Sequence, residues 1–104
     1  MENNFSLSLS LSLSPAQLTA IEDTLASMTR GFEKRSLVDS LLLTLFPGHD
    51  PKFLRTWGAF RYTQLKMAAF PERQLWILKS MVSEVISGTA QDWYKGYLEE
   101  YPGA

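Results

Sequence analysis

The sequence has no cysteine and a single histidine among its 104 residues. Without cysteine the chain cannot form a disulfide, a Cys-ligated zinc or iron–sulfur site, or a thiol nucleophile. His49 cannot by itself build a centre that needs several histidines. The neighbouring Asp50 is better explained as the cap of a helix that begins at Pro51. The sequence therefore predicts no metal and no other cofactor.

Motifs that carry catalysis are also missing from the sequence. It contains no GxSxG, no HExxH and no glycine-rich phosphate loop. The adjacent carboxylates Glu22-Asp23 and Glu99-Glu100 point about 100° apart on a helix, so neither pair shares one site. We therefore expect a protein that is not an enzyme.

Long apolar runs are absent as well. A membrane-spanning helix needs about 20 mostly apolar residues, and no such run exists. The N-terminus lacks the basic region and continuous apolar stretch of a secretion signal. Hydrophobic residues make up 45% and charged residues 20% of the chain, which is ordinary for a folded domain. We expect one cytoplasmic domain without a membrane span.

The charges are nearly balanced overall but unevenly distributed along the chain. Residues 1–49 carry three basic and five acidic side chains, residues 50–80 six and two, and residues 81–104 one and four. The basic middle could attract an anionic partner. Alternatively, the segments could neutralise one another by packing within a subunit or across a dimer. We favour the second, because a dedicated nucleic-acid binder usually has a basic excess overall.

The N-terminal segment is a serine and leucine repeat, FSLSLSLSLS over residues 5–14. As a strand it would place Leu7, Leu9 and Leu11 on one face and only serines on the other. No second strand is predicted, so the segment is disordered, lies extended in a groove of the helical body, or pairs with another copy. We treat residues 1–14 as an extended or disordered arm, 15–101 as one helical domain and 102–104 as a tail.

The remaining sequence predicts an all-α fold, a compact bundle of about five short helices. Cap residues are expected at Ser14, Ser36, Asp50 and Thr89, each followed by a helical pattern. The predicted helices cover residues 15–30, 36–46, 51–69, 71–87 and 90–100.

The first predicted helix has a narrow apolar seam of coiled-coil type, formed by Leu18, Ile21, Leu25, Met28 and Phe32. In a small bundle such a seam is usually core, and a dimer seam is the alternative. The leucines that are candidates for a homodimer contact, in the arm and in this helix, are Leu7, Leu9, Leu11, Leu18 and Leu25.

The second predicted helix is apolar over most of its circumference and is expected at the centre of the core. Phe53, Trp57 and Phe60 of the third helix should pack against it. In the fourth helix the predicted apolar face includes Ile86. Trp93, Tyr94, Tyr97, Leu98 and Tyr101 cover one side of the last helix, which we expect to close the bundle.

Arg61 is out of place in this pattern, because it projects with Gln64 from the apolar side of the third helix. A charge there is costly unless it is paired or hydrogen-bonded. One interpretation is a carboxylate or helix C-terminus within the fold that meets Arg61. The other is a partner interface, where arginine is enriched beside aromatic side chains.

Basic and aromatic side chains also fall on the polar sides of the third and fourth helices. Trp76 lies there between basic neighbours. In one interpretation the N-terminal segment or the last helix covers it. In the other it is an aromatic anchor for a partner. We predict an adaptor or regulator that docks on an acidic surface of another protein through this face. Nucleic-acid binding by the same face is the alternative. The predicted contact residues are Arg55, Tyr62, Lys66, Arg73, Trp76 and Lys79.

Overall fold

The computed structural model describes residues 12–104, and five α-helices make up most of this range. The helices are α1 (Pro15–Thr29), α2 (Lys34–Leu45), α3 (Pro51–Lys66), α4 (Pro71–Ser87) and α5 (Thr89–Glu100). The predicted all-α bundle is confirmed. Leu7, Leu9, Leu11 and most of the predicted arm lie outside the described residues, so their role in a dimer stays a prediction.

Three helices, α1, α3 and α4, begin where the sequence predicts, and α2 and α5 begin earlier. Ser14 and Gln17 form a reciprocal capping box at the start of α1, and the Asp50 side chain accepts the Lys52 N–H at the start of α3. For α2 the predicted cap at Ser36 was wrong. Glu33 caps α2 instead, because its two carboxylate oxygens accept the N–H groups of Arg35 and Ser36 at 2.8 Å each.

The end of α3 differs from the prediction, whereas α4 spans the predicted residues 71–87. Helix α3 ends at Lys66, three residues before the predicted Ala69, and a short turn leads into the Pro71 start of α4. Gly88 has a left-handed backbone with φ of 92° and both ends α4 and precedes α5. No side chain caps the start of α5. The predicted cap at Thr89 was wrong, because Thr89 is itself the first residue of α5.

The core lies where α2, α3 and α4 meet. Leu42 of α2, Leu54 of α3 and Met81 of α4 have essentially no exposed surface. The Trp57 indole Nε1–H donates to the Met81 carbonyl at 3.1 Å, which ties α3 to α4 through a buried hydrogen bond. This arrangement confirms that the apolar second helix belongs to the centre of the core.

Helix α1 packs on α2 and α4 of the same chain. Ile21 and Met28 are buried, and Leu18 and Leu25 pack against the same core. Most of the seam is therefore core within one subunit, and no contact between copies is needed to cover it. Phe32 was placed in the seam wrongly: it is 60% exposed, because Gly31, with φ of 92°, ends the helix before it.

Two more apolar residues lie nearer the surface than predicted. Phe60 is 48% exposed and Ile86 45% exposed. Ile86 lies in the last turn of α4, beyond the best-packed part of the helix. Phe60 leaves the core because its ring turns toward α5 and stacks on Trp93. Among the described residues, no helix is long and apolar enough to cross a bilayer.

Candidate functional site

Arg61 is a buried charge that has its partners within the chain. Its Nη1–H donates to both carboxylate oxygens of Glu84 on α4, at 3.0 and 2.6 Å. Its Nη2–H donates to the Ser80 hydroxyl at 2.7 Å, and its Nε–H donates to the Gln64 side chain at 3.1 Å. The guanidinium also lies 5.4 Å from the centre of the Trp57 ring. The structure therefore agrees with the first interpretation of Arg61, in which a carboxylate within the fold pairs with it.

The six predicted contact residues divide between two helices and form two cation–aromatic pairs. On α3, the Lys66 ammonium lies 5.8 Å from the Tyr62 ring centre, and on α4 the Arg73 guanidinium lies 5.2 Å from the Trp76 ring centre. The Arg55 side chain is exposed, and its backbone carbonyl accepts a hydrogen bond from Arg35 of α2.

The α3 members lie on the flank of that helix that faces α2. Tyr62 and Trp76 are each only partly exposed and pack against the core. A shallow hollow of about 100 Å³ beside Trp76 is lined by Lys79, Glu72 and Leu75. The predicted anchor therefore offers a limited ring surface and little depth for a partner.

A larger feature lies on the opposite flank of α3, where α5 crosses it. Four aromatic rings form a continuous ladder there. Phe60 of α3 stacks on Trp93 with ring centres 4.5 Å apart and planes 21° apart. Tyr97 follows Trp93 at 5.3 Å, and Tyr101 follows Tyr97 at 5.1 Å. The α5 rings recur every four residues, which places them one above another on the same face of the helix.

These rings line a groove of about 770 Å³ between α3 and α5. We call it the aromatic groove and define it by its lining residues, which are Thr56, Ala59, Phe60, Asp92, Trp93, Gly96, Tyr97, Glu100 and Tyr101. Its rim is open, since Phe60 is 48% and Tyr101 53% exposed. A second hollow of about 380 Å³ adjoins it through Phe60 and Trp93 and reaches the Arg61–Glu84 pair.

The charges in the aromatic groove are acidic. Among the described residues, Asp92 and Glu100 are the only charged ones that line the groove, and they lie at its two ends along α5. Arg61 borders the neighbouring hollow, where Glu84 already neutralises it. The predicted basic character of the contact surface therefore belongs to the other flank of α3, and this groove favours positively charged groups.

Gly96 gives the groove a feature that helix packing does not require. It lies inside α5, and a Cβ built on it would meet no atom within 4 Å. Glycine inside a helix costs about 1 kcal/mol relative to alanine. Within the described chain no close neighbour explains why a glycine is present at this position. A glycine also lets the backbone of another molecule approach closely.

Sequence reasoning missed this groove as a site. Trp93, Tyr97 and Tyr101 were assigned to closing the bundle, and Phe60 was assigned to the core. One available signal was the excess of aromatic rings on α5, because a helix at the edge of a small bundle needs fewer large side chains to cover it. The partner helix and the ring stacking could not be derived from spacing alone.

No group of three or more metal-ligating side chains comes together within residues 12–104. No protein-family model matches the chain, and no curated protein and no solved structure is similar enough to match it.

Proposed function

We propose that this protein is a non-enzymatic interaction module, a small adaptor or regulator, that binds a segment of another protein in the aromatic groove. The observation that supports this most is the ladder of four neighbouring rings along an open groove of about 770 Å³, of which the first and last, Phe60 and Tyr101, are about half exposed. Aromatic side chains are enriched among the residues that dominate binding energy in protein interfaces. Rings already stacked lose little side-chain entropy when a partner covers them.

The chemistry of the groove supports binding rather than catalysis. Its acidic groups, Asp92 and Glu100, lie eight residues apart on α5, which is about 12 Å along the helix axis. That spacing does not bring the two carboxylates to one reacting bond. Thr56 supplies the other side-chain hydroxyl besides the tyrosines, and this hydroxyl donates to the Lys52 backbone carbonyl at 2.7 Å.

The second proposed contact surface is the basic and aromatic flank of α3 and α4. It comprises Arg55, Tyr62, Lys66, Arg73, Trp76 and Lys79. Its two cation–aromatic pairs give it a positive, partly aromatic surface that suits an acidic partner protein. Nucleic-acid binding by this flank is the alternative that a salt-dependent oligonucleotide titration tests.

The test compares the proteins captured from a cell extract by the full chain and by matched variants. Tyr97→Ala removes a central ring of the groove, and Ala59→Gln fills the groove from its exposed α3 side. Phe32→Ala removes an exposed ring far from the groove in sequence and outside its lining. The melting temperature of each variant shows that its fold is intact.

We expect a protein that the unmodified chain and Phe32→Ala both capture and that Tyr97→Ala and Ala59→Gln both lose. A partner could still be captured by both groove variants but lost when Arg55, Lys66 and Trp76 are replaced together. That result would mean that the partner binds the basic flank instead. Capture unaffected by any of these changes would contradict both surfaces.

A further inference from the structure

The charged groups at the two ends of the aromatic groove limit what can bind there. Asp92 and Glu100 present carboxylates, and within residues 12–104 no lysine or arginine lines the groove. A negatively charged ligand such as a nucleic-acid strand would be repelled at both ends, although its bases could stack on the rings. A ligand with one positive side chain near each end is complementary to the groove.

The floor of the groove favours a ligand whose backbone comes close to α5. Gly96 and Ala59 leave space beside the rings, and the position where a Gly96 side chain would lie is open. A helical ligand, about 10 to 12 Å across with its side chains, brings its backbone to such a floor only where it has small residues of its own. An extended segment can lay its backbone directly against it.

The walls of the groove favour one kind of extended segment. A polyproline II helix has three residues per turn and makes no internal hydrogen bonds, so its carbonyls need donors from the receptor. Tyrosine hydroxyls and the tryptophan indole N–H can donate. Steps of 5.3 and 5.1 Å separate the ring centres of Trp93, Tyr97 and Tyr101. The outer rings are therefore at most about 10 Å apart, close to the rise of about 9 Å per polyproline II turn.

From these observations we propose that the aromatic groove binds a proline-rich segment of another protein in the polyproline II conformation. The segment carries a lysine or arginine at two positions four residues apart, because four residues at about 3.1 Å span the same 12 Å or so that separates Asp92 from Glu100. This inference rests on the proposed function and adds the chemistry of the partner. Proline rings pack on the aromatic rungs, and the two cations pair with the carboxylates.

The test is a calorimetric titration of the full chain with three synthetic peptides. The first is a proline peptide with two arginines four positions apart, and the second is the same peptide with glutamates in place of the arginines. The third is an alanine-based helical peptide whose two arginines are eight positions apart, so that they span the same distance along a helix. We expect only the first to bind, with an affinity that weakens as salt is raised.

Matched variants locate the binding. Glu100→Gln should weaken binding of the first peptide about threefold or more, whereas Glu99→Gln, an exposed neighbour outside the groove lining, should leave it unchanged. Tyr97→Ala should weaken it about tenfold or more. Equal effects of Glu99→Gln and Glu100→Gln would overturn the charge pairing.

The outcomes also separate this inference from the proposed function. Tighter binding of the helical peptide, abolished by Tyr97→Ala, would overturn the polyproline assignment while the groove stands as a docking site. Equal binding of the glutamate peptide would overturn the basic character of the ligand. If none of the three peptides binds, the inference is wrong, and the capture comparison still decides the proposed function by itself.

Discussion

The ion pair of Arg61 with Glu84 joins α3 to α4 under the hollow next to the aromatic groove. The side chain of Arg61 is 10% exposed and that of Glu84 28% exposed, so the arginine is the more desolvated partner. The guanidinium also donates hydrogen bonds to the side-chain oxygens of Ser80 and Gln64. The guanidinium lies 5.4 Å from the centre of the Trp57 ring, which in turn lies 5.3 Å from the Trp93 ring.

Removing the carboxylate should destabilise the fold. Glu84→Ala leaves a buried guanidinium with only neutral partners, and we expect a loss of about 2 to 3 kcal/mol in the free energy of unfolding. Asp39→Ala breaks the more exposed Arg35–Asp39 pair and should cost under about 1 kcal/mol. Urea denaturation measures both. Equal losses would mean that burial of Arg61 does not matter to the pair.

The Glu33 cap should make α2 sensitive to acid. The hydrogen bond from the Ser36 hydroxyl, together with the N–H groups of Ser36 and Arg35, holds the pKa of Glu33 below its ordinary value of 4.5. A lowered pKa in the folded state means that this carboxylate stabilises the fold fully above pH 4.5 and loses its effect as the pH falls through the lower, folded pKa.

We therefore expect Glu33→Gln to reduce the acid dependence of stability in that window. The urea midpoint of the unmodified chain, followed from neutral pH into the acid range, should fall more steeply than that of the variant. Ser36→Ala, which removes the hydroxyl donor, should reduce the difference in part. Parallel pH curves for all three proteins would contradict the assignment of this cap.

Among the helices, α2 and α3 are held close by a glycine that the packing requires. A Cβ on Gly58 would lie 3.2 Å from Val38 Cγ1 and 3.3 Å from Leu42 Cδ1, and both of those side chains are fully buried. Neither neighbour can move away easily. The glycine of α5, Gly96, has no such neighbour. Close packing therefore explains why position 58 is a glycine, but it does not explain the glycine at position 96.

Alanine substitutions should therefore have opposite effects at the two positions. Gly58→Ala should destabilise the protein by about 1 to 2 kcal/mol, because overpacking outweighs the gain in helix propensity. Gly96→Ala should stabilise it by about 0.5 to 1 kcal/mol. Thermal unfolding gives both values. A destabilised Gly96→Ala variant would show that the floor of the groove is packed rather than open.

Much of the bundle could be predicted from its sequence because local signals determine it. Ser14, Asp50 and the prolines that follow them begin α1 and α3 where expected, and the apolar second helix is central as predicted. The prediction chose Ser36 as the cap of α2 because serine is a common cap residue. It missed Glu33, although a carboxylate also accepts helix N–H groups. The partner of Arg61 could not be derived, since Glu84 is far along the chain.

The groove was missed because its existence depends on two helices distant in sequence. Spacing places Trp93, Tyr97 and Tyr101 on one face of α5, but only the packing of α5 against α3 shows that Phe60 joins them outside the core. Charge counts by segment assign most basic residues to α3 and α4, yet they did not show that the opposite flank of α3 meets the acidic α5. Both properties arise from the assembled fold.

At the scale of the whole molecule, the proposed contact of a partner protein with the aromatic groove is tested most directly by site-directed photo-crosslinking. A photoreactive phenylalanine analogue replaces Tyr101 at the groove rim, Tyr62 on the basic flank or, as the matched control, Phe32, which is 60% exposed. We predict that a partner in a cell extract is crosslinked from position 101 and not from position 32. Crosslinks to that partner from position 32, or from position 62 with none from 101, would contradict the account.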